Sequence, residues 1–170
     1  MDEEYRERKR RKEWELLYVS QYIATRYPHV PCVIHAHLGT LPQSLSGREL
    51  EPAEERMLRV RMRWADAIVF CPDESIIIEG KLRASELLKA VGELELYTHL
   101  LPLTPDYRHL IADRITAQLL TPIQDPSVET LCRRKGYQYV VWTTPLITQY
   151  LAEIPPRETR PIRPEEARYL

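Results

Sequence analysis

Apolar positions along the chain change period several times, and each change marks an element. Behind a mixed-charge lead, Trp14, Leu16, Leu17, Val19, Tyr22 and Ile23 recur near helical spacing and predict a helix over residues 2–26. Tyr27-Pro28 ends it, because a residue before proline is steered away from helical backbone. Residues 30–38 (VPCVIHAHL) are rich in β-branched side chains and predict a first strand closed by Gly39. Residues 40–53 carry Pro42, Gly47 and Pro52 and predict a loop, while 54–62 fit either a short helix or the approach to the next strand. A second strand is predicted over Arg63–Cys71 and a third over Ile76–Leu82. The hairpin turn between them is Pro72-Asp73-Glu74-Ser75.

Beyond the hairpin, Leu87, Leu88, Val91, Leu94, Tyr97 and Leu101 form a helical stripe over 85–101 that Pro102 and Pro105 stop. A fourth strand follows at 115–120, a helix at 126–135 closing on Gly136, a fifth strand at 139–143 and a short helical segment at 147–152. A strand hairpin followed by helix-linked strands implies a mixed sheet flanked by helices, an α/β fold. One domain over 1–152 is expected, followed by an extended proline- and charge-rich tail at 153–170.

Composition narrows the classes. The 170 residues are 44% hydrophobic and 29% charged, as in an ordinary globular protein. No apolar run approaches the roughly 20 residues that cross a bilayer, and the charged N-terminus lacks a signal-peptide core, so a cytoplasmic protein is expected. Cys32, Cys71 and Cys132 are widely spaced and read as buried thiols of a reducing compartment. A net charge of −1 gives no global basic field, so any nucleic acid must be held by local clusters.

The chemistry concentrates in Ile76-Ile77-Ile78-Glu79-Gly80-Lys81. Three consecutive isoleucines predict a strand buried on both faces, where charges are costly unless paired, metal-bound or used. Glu79 and Lys81 leave one face of that strand. Asp66 lies thirteen residues upstream in the second apolar run, on the strand expected to pair with it. Two carboxylates and a carbonyl suit Mg²⁺ or Mn²⁺, so Asp66, Glu79 and the Gly80 carbonyl are the candidate metal ligands. Lys81 is the candidate for orienting or deprotonating water, its pKa expected to be lowered by burial.

These residues resemble the PD-(D/E)XK nuclease superfamily: Asp66, then Glu79-Gly80-Lys81, on the second and third strands. Gly92-Glu93-Leu94-Glu95-Leu96-Tyr97 on the next helix looks like the QxxxY motif of the RecB-like branch, with Glu93 where glutamine is usual. Trp142-Thr143-Thr144-Pro145 is similar, more loosely, to small RecB-like proteins of phages and mobile elements. The resemblance implies a restriction-endonuclease-like core in αβββαβ order with a further helix and strand. It also implies a Mg²⁺-dependent DNA nuclease in which Asp66, Glu79, Lys81, Glu93 and Tyr97 form the catalytic set. An RNA nuclease or junction resolvase keeps the same chemistry. The alternative is a catalytically inactive member, structural or nucleic-acid-binding, within a phage particle or recombination assembly, either self-associated or part of a larger complex.

Plainer roles compete for the same residues. Glu79 and Lys81 fit an edge-strand ion pair, Asp66 a partner for Arg63 or Arg83, and Tyr97 simple core. Glu95 reads as a solvated helix charge. His35 and His37 share a strand face but have no third metal ligand in view, so a partly exposed strand is expected. Arg6 to Lys12 reads as a solvated face, with phosphate contact as its functional alternative. Glu54 and Glu55 are a further pair of acids that reach toward the metal in the functional reading.

Overall fold

The computed structural model describes residues 3–40, 51–54, 57 and 62–154. In chain order the elements are α1 (Glu3–Arg26), β1 (Cys32–Leu38), β2 (Arg63–Phe70), β3 (Glu74–Gly80), α2 (Leu87–Leu100), β4 (Arg114–Thr121), α3 (Pro126–Arg134), β5 (Gln138–Val141) and α4 (Pro145–Ala152). The strands form one five-stranded sheet whose spatial order is the sequence order. β1 and β2 are antiparallel, as are β2 and β3. β3, β4 and β5 run parallel through helical crossovers. The result is the mixed, helix-flanked α/β sheet that the pattern predicts, and it is compatible with a restriction-endonuclease-like core.

The isoleucine run explains the layering. β3 is the central strand, and its alternating side chains feed two separate cores. Ile77 packs with Ile68 and with Leu87, Ala90, Val91 and Leu94 of α2. Ile76 and Ile78 pack with Tyr18, Val19, Tyr22 and Ile23 of α1 and with Ile147 and Tyr150 of α4. One helical layer therefore covers each face, which rules out the edge-strand reading of Glu79 and Lys81.

Local signals set the ends. Asp125 caps α3, its carboxylate accepting from the Ser127 and Val128 amides at 3.0 and 3.1 Å, with Pro126 at the first helical position. Gly136 ends that helix with φ 74°. Thr144 caps α4 in the same manner. α2 is preceded by a 3₁₀ turn at Ala84–Glu86, so the helix proper starts at Leu87, two residues later than the stripe implies.

Some expectations fall outside the described residues or are corrected. Residues 41–50 and 155–170 lie outside, as does Glu55, while residues 52–54 form a helical turn. Glu54 accepts a hydrogen bond from the Glu51 amide at 3.1 Å. Packing continues past residue 152, since Glu153 pairs with Arg10 at 3.0 Å and Ile154 is buried. The cysteines are not uniformly buried: Cys132 is, Cys71 is half-buried, and Cys32 is exposed. Cys32 opens the edge strand β1, whose first four positions are exposed or half-buried. No described helix is long and apolar enough to cross a membrane.

Candidate active site

Antiparallel pairing of Ala67 with Ile78 brings Asp66, midway along β2, beside Glu79 near the end of β3. The two residues are stitched together reciprocally. The Gly80 amide donates to Asp66 Oδ2 at 2.9 Å, and the Asp66 amide donates to Glu79 Oε2 over a longer 3.4 Å. Asp66 is 0% exposed, Glu79 2% and Lys81 7%. Lys81 Nζ donates to Glu79 Oε1 at 2.6 Å and forms an ion pair with Glu93 Oε2 at 3.3 Å. Glu93 also pairs with Lys89, one helical turn back, at 3.4 Å. The acid, acid and lysine of the two strands thus converge, and Glu93 reaches them from α2. Tyr97 lies one turn further along and is buried in the α2 core. Burial and then the charges of Glu79 and Glu93 raise its phenol pKa above the ordinary value, so it stays protonated. Neither Arg63 nor Arg83 is the partner of Asp66.

That partner is Lys12, on α1. Its ammonium donates to Asp66 Oδ1 and lies 3.9 Å from Glu15 Oε2. Glu15 is itself buried, and its Oε1 has no hydrogen-bond partner among the described residues. Lys12 therefore does not lie on the solvated face expected for Arg6 to Lys12, and Glu15 joins the site as a residue the motifs do not mark. A signal was there: the inward stripe of α1 at Tyr18, Val19, Tyr22 and Ile23, continued backward at helical spacing, runs through Glu15 and Lys12. Charges on an inward stripe mark a site or a buried network. Three neighbours on α1 also form ion pairs: Arg10 with Glu153 at 3.0 Å, Arg11 with Glu86 at 3.3 Å, and Glu7 with Arg83 at 3.0 Å. Trp14 stacks on Tyr150 with centroids 4.4 Å apart. These contacts hold α1 against the sheet and so place the backbone of Lys12 and Glu15 beside Asp66.

Close approach of α1 also explains Gly80. A Cβ there would lie 2.5 Å from Val19 Cγ2, in a fully buried contact with a stiff β-branched side chain. Gly80→Ala is therefore expected to destabilise the fold by about 2 kcal/mol, the overpacking range. A fall in the urea midpoint at unchanged slope is the check; an unchanged midpoint would mean that α1 gives way freely.

In the metal-free protein, electrostatics reverse one expectation. Burial acts to lower the Lys81 pKa, but Glu79, Glu15, Asp66 and Glu93 together outweigh it, and the ammonium is held above its usual value. Lys81 is a charged donor here and not a free base. Burial, reinforced by Asp66, pushes Glu79 up to about 8. Burial likewise pushes Glu15 up to about 7, against the pull of Lys81 and Lys12. Lys12 is raised despite burial by Asp66 and Glu79. The cluster holds more carboxyl groups than cations, and the surplus appears as two carboxyls that are reluctant to ionise.

Among the described residues no three His, Cys, Asp or Glu side chains already stand gathered as a metal site. The donor chemistry nevertheless fits Mg²⁺: two adjoining carboxylates, a surplus of negative charge and the unpartnered Glu15 oxygen. Elsewhere, His37 bonds Asp106 at 2.8 Å and Tyr107 at 3.3 Å, and His35 packs on Trp64. Both lie on the part-exposed strand β1, as expected. Glu95 is solvated and pairs with Lys135 at 2.8 Å. No protein-family model matches the chain, and no curated protein or solved structure does either.

Proposed function

We propose that the chain is a Mg²⁺-dependent phosphodiesterase acting on DNA. The observation that carries this reading is the convergence of Asp66 and Glu79, buried and joined through Gly80, with the charged Lys81 bonded to Glu79. Asp66 and Glu79 are the residues to hold the cation, with the Gly80 carbonyl and Glu15 as further oxygens beside them. When bound, Mg²⁺ supplies charge neutralisation at the phosphate and a more acidic water.

The chain's own groups do the rest. Lys81, fixed by Glu79 and Glu93, presents a permanent positive charge that stabilises charge developing on a phosphate oxygen. Glu93 replaces the amide of the related motif, and its role is to position Lys81. Tyr97, held protonated against the α2 core, serves as a neutral donor.

Purified protein is expected to cleave linear or circular DNA with Mg²⁺ or Mn²⁺ and to lose that turnover with EDTA or as Asp66→Asn. Folded protein that cuts neither substrate would overturn the reading. A second reading, a binding module without turnover, is favoured by Lys12 occupying Asp66. Such a module would show no carboxylate-dependent Mg²⁺ binding in calorimetry.

A further inference from the structure

We propose that Lys12 is a tethered cation that competes with the divalent metal for Asp66, so that metal entry requires the Lys12 side chain to swing out of the cluster. The inference rests on the metal-dependent reading above and adds a gate to it. Asp66 has two oxygens, and the Gly80 amide uses one of them in a backbone-fixed contact. The other, Oδ1, is the oxygen free to serve as a ligand, and Lys12 Nζ is on it. The same ammonium lies beside Glu15, whose second oxygen is buried without a partner. An ammonium and a dication sharing one carboxylate oxygen repel strongly in a buried setting.

Lys12 is built to leave. Its side chain is 39% exposed, against 0% for Asp66 and 4% for Glu15, so an open path leads from the cluster to solvent. Four rotatable bonds let the ammonium withdraw without moving α1, which Arg10, Arg11 and Trp14 hold in place. Lys81 differs in each respect. It is buried, it is bonded to Glu79 and Glu93, and it leaves Asp66 Oδ1 untouched. Of the two ammonium groups, one is a fixture and the other a removable plug. Without metal, Lys12 offsets the negative surplus and spares the fold a bare buried Asp66.

The test is calorimetric titration of Mn²⁺ into full-length wild type, Lys12→Met and Lys12→Gln, with Asp66→Asn as the site control. Gln keeps a hydrogen-bond donor for Asp66 without a charge, which covers the case in which Lys12→Met fails to fold. Both variants are expected to bind Mn²⁺ about tenfold tighter or better, since one like charge is removed from the ligand set. The rise in melting temperature on adding Mn²⁺ should also exceed that of wild type. Binding that depends on Asp66 but is equal or weaker in the Lys12 variants overturns the gate and leaves the metal site standing. Absence of Asp66-dependent binding in every protein overturns the metal site and the gate together.

Discussion

Lys81→Met is expected to lower the proposed Mg²⁺-dependent DNA cleavage by about a hundredfold to a thousandfold, the usual effect of removing one preorganised donor from a charged transition state. The expectation follows from the ammonium's setting. Lys81 Nζ is held by Glu79 at 2.6 Å and Glu93 at 3.3 Å, so its charge is fixed before substrate arrives. Breaking a buried ion pair often costs about 3–5 kcal/mol, because one charge is left unpaired. That penalty should be smaller here. Glu79 is already pushed up to about 8, so in the variant it takes up a proton near neutral pH instead of standing as a bare carboxylate. The loss of rate should therefore appear in protein that still folds, which circular dichroism and a urea titration check alongside initial rates. Lysine acting as a free base would add a rising limb to the pH–rate profile that the variant loses. No such limb is expected, because the carboxylates hold Lys81 above its usual pKa. A variant that cuts as fast as wild type would remove Lys81 from the chemistry.

Legibility in the sequence followed the range of the interaction. The isoleucine run, the turn at Pro72–Ser75 and the stripe from Leu87 to Leu101 are local, and each element they predict lies within a few residues of its place. Asp66, Glu79 and Lys81 were legible because antiparallel pairing of two adjacent strands is also a short-range event. Lys12 and Glu15 were not, because they reach the site only when a helix more than fifty residues earlier packs against the sheet. Their charges sit among many others on α1, and only the continuation of the Tyr18–Ile23 stripe sets them apart. The lysine pKa failed for a related reason. Burial alone gives one sign, and counting the four carboxyl groups around the ammonium gives the other.

Glu15 should make the metal-free protein less stable as pH rises through neutrality, the opposite of the usual carboxylate effect. Its carboxyl is raised from about 4.5 in the unfolded chain to about 7 in the fold, burial being the largest cause. For a group raised on folding, the contribution is fully present below the unfolded pKa and is lost as pH climbs through the folded one. The window is therefore about pH 4.5 to somewhat above 7, and its full span is worth about 3 kcal/mol. Between pH 6 and 8.5 Glu15 alone should remove about 1 kcal/mol, and Glu79, raised in the same sense, adds to the slope. Urea midpoints across that range should fall for wild type and fall less for Glu15→Gln, whose amide never ionises. The variant should also exceed wild type in stability at pH 8.5, where the ionised Glu15 has an oxygen without a partner. Equal slopes in the two proteins would mean that Glu15 ionises freely in the fold and that the cluster carries no surplus of negative charge. The surplus links this measurement to function. A cation that enters the cluster should flatten the wild-type slope, because it gives the reluctant carboxylates the positive charge that Lys12 and Lys81 do not fully supply.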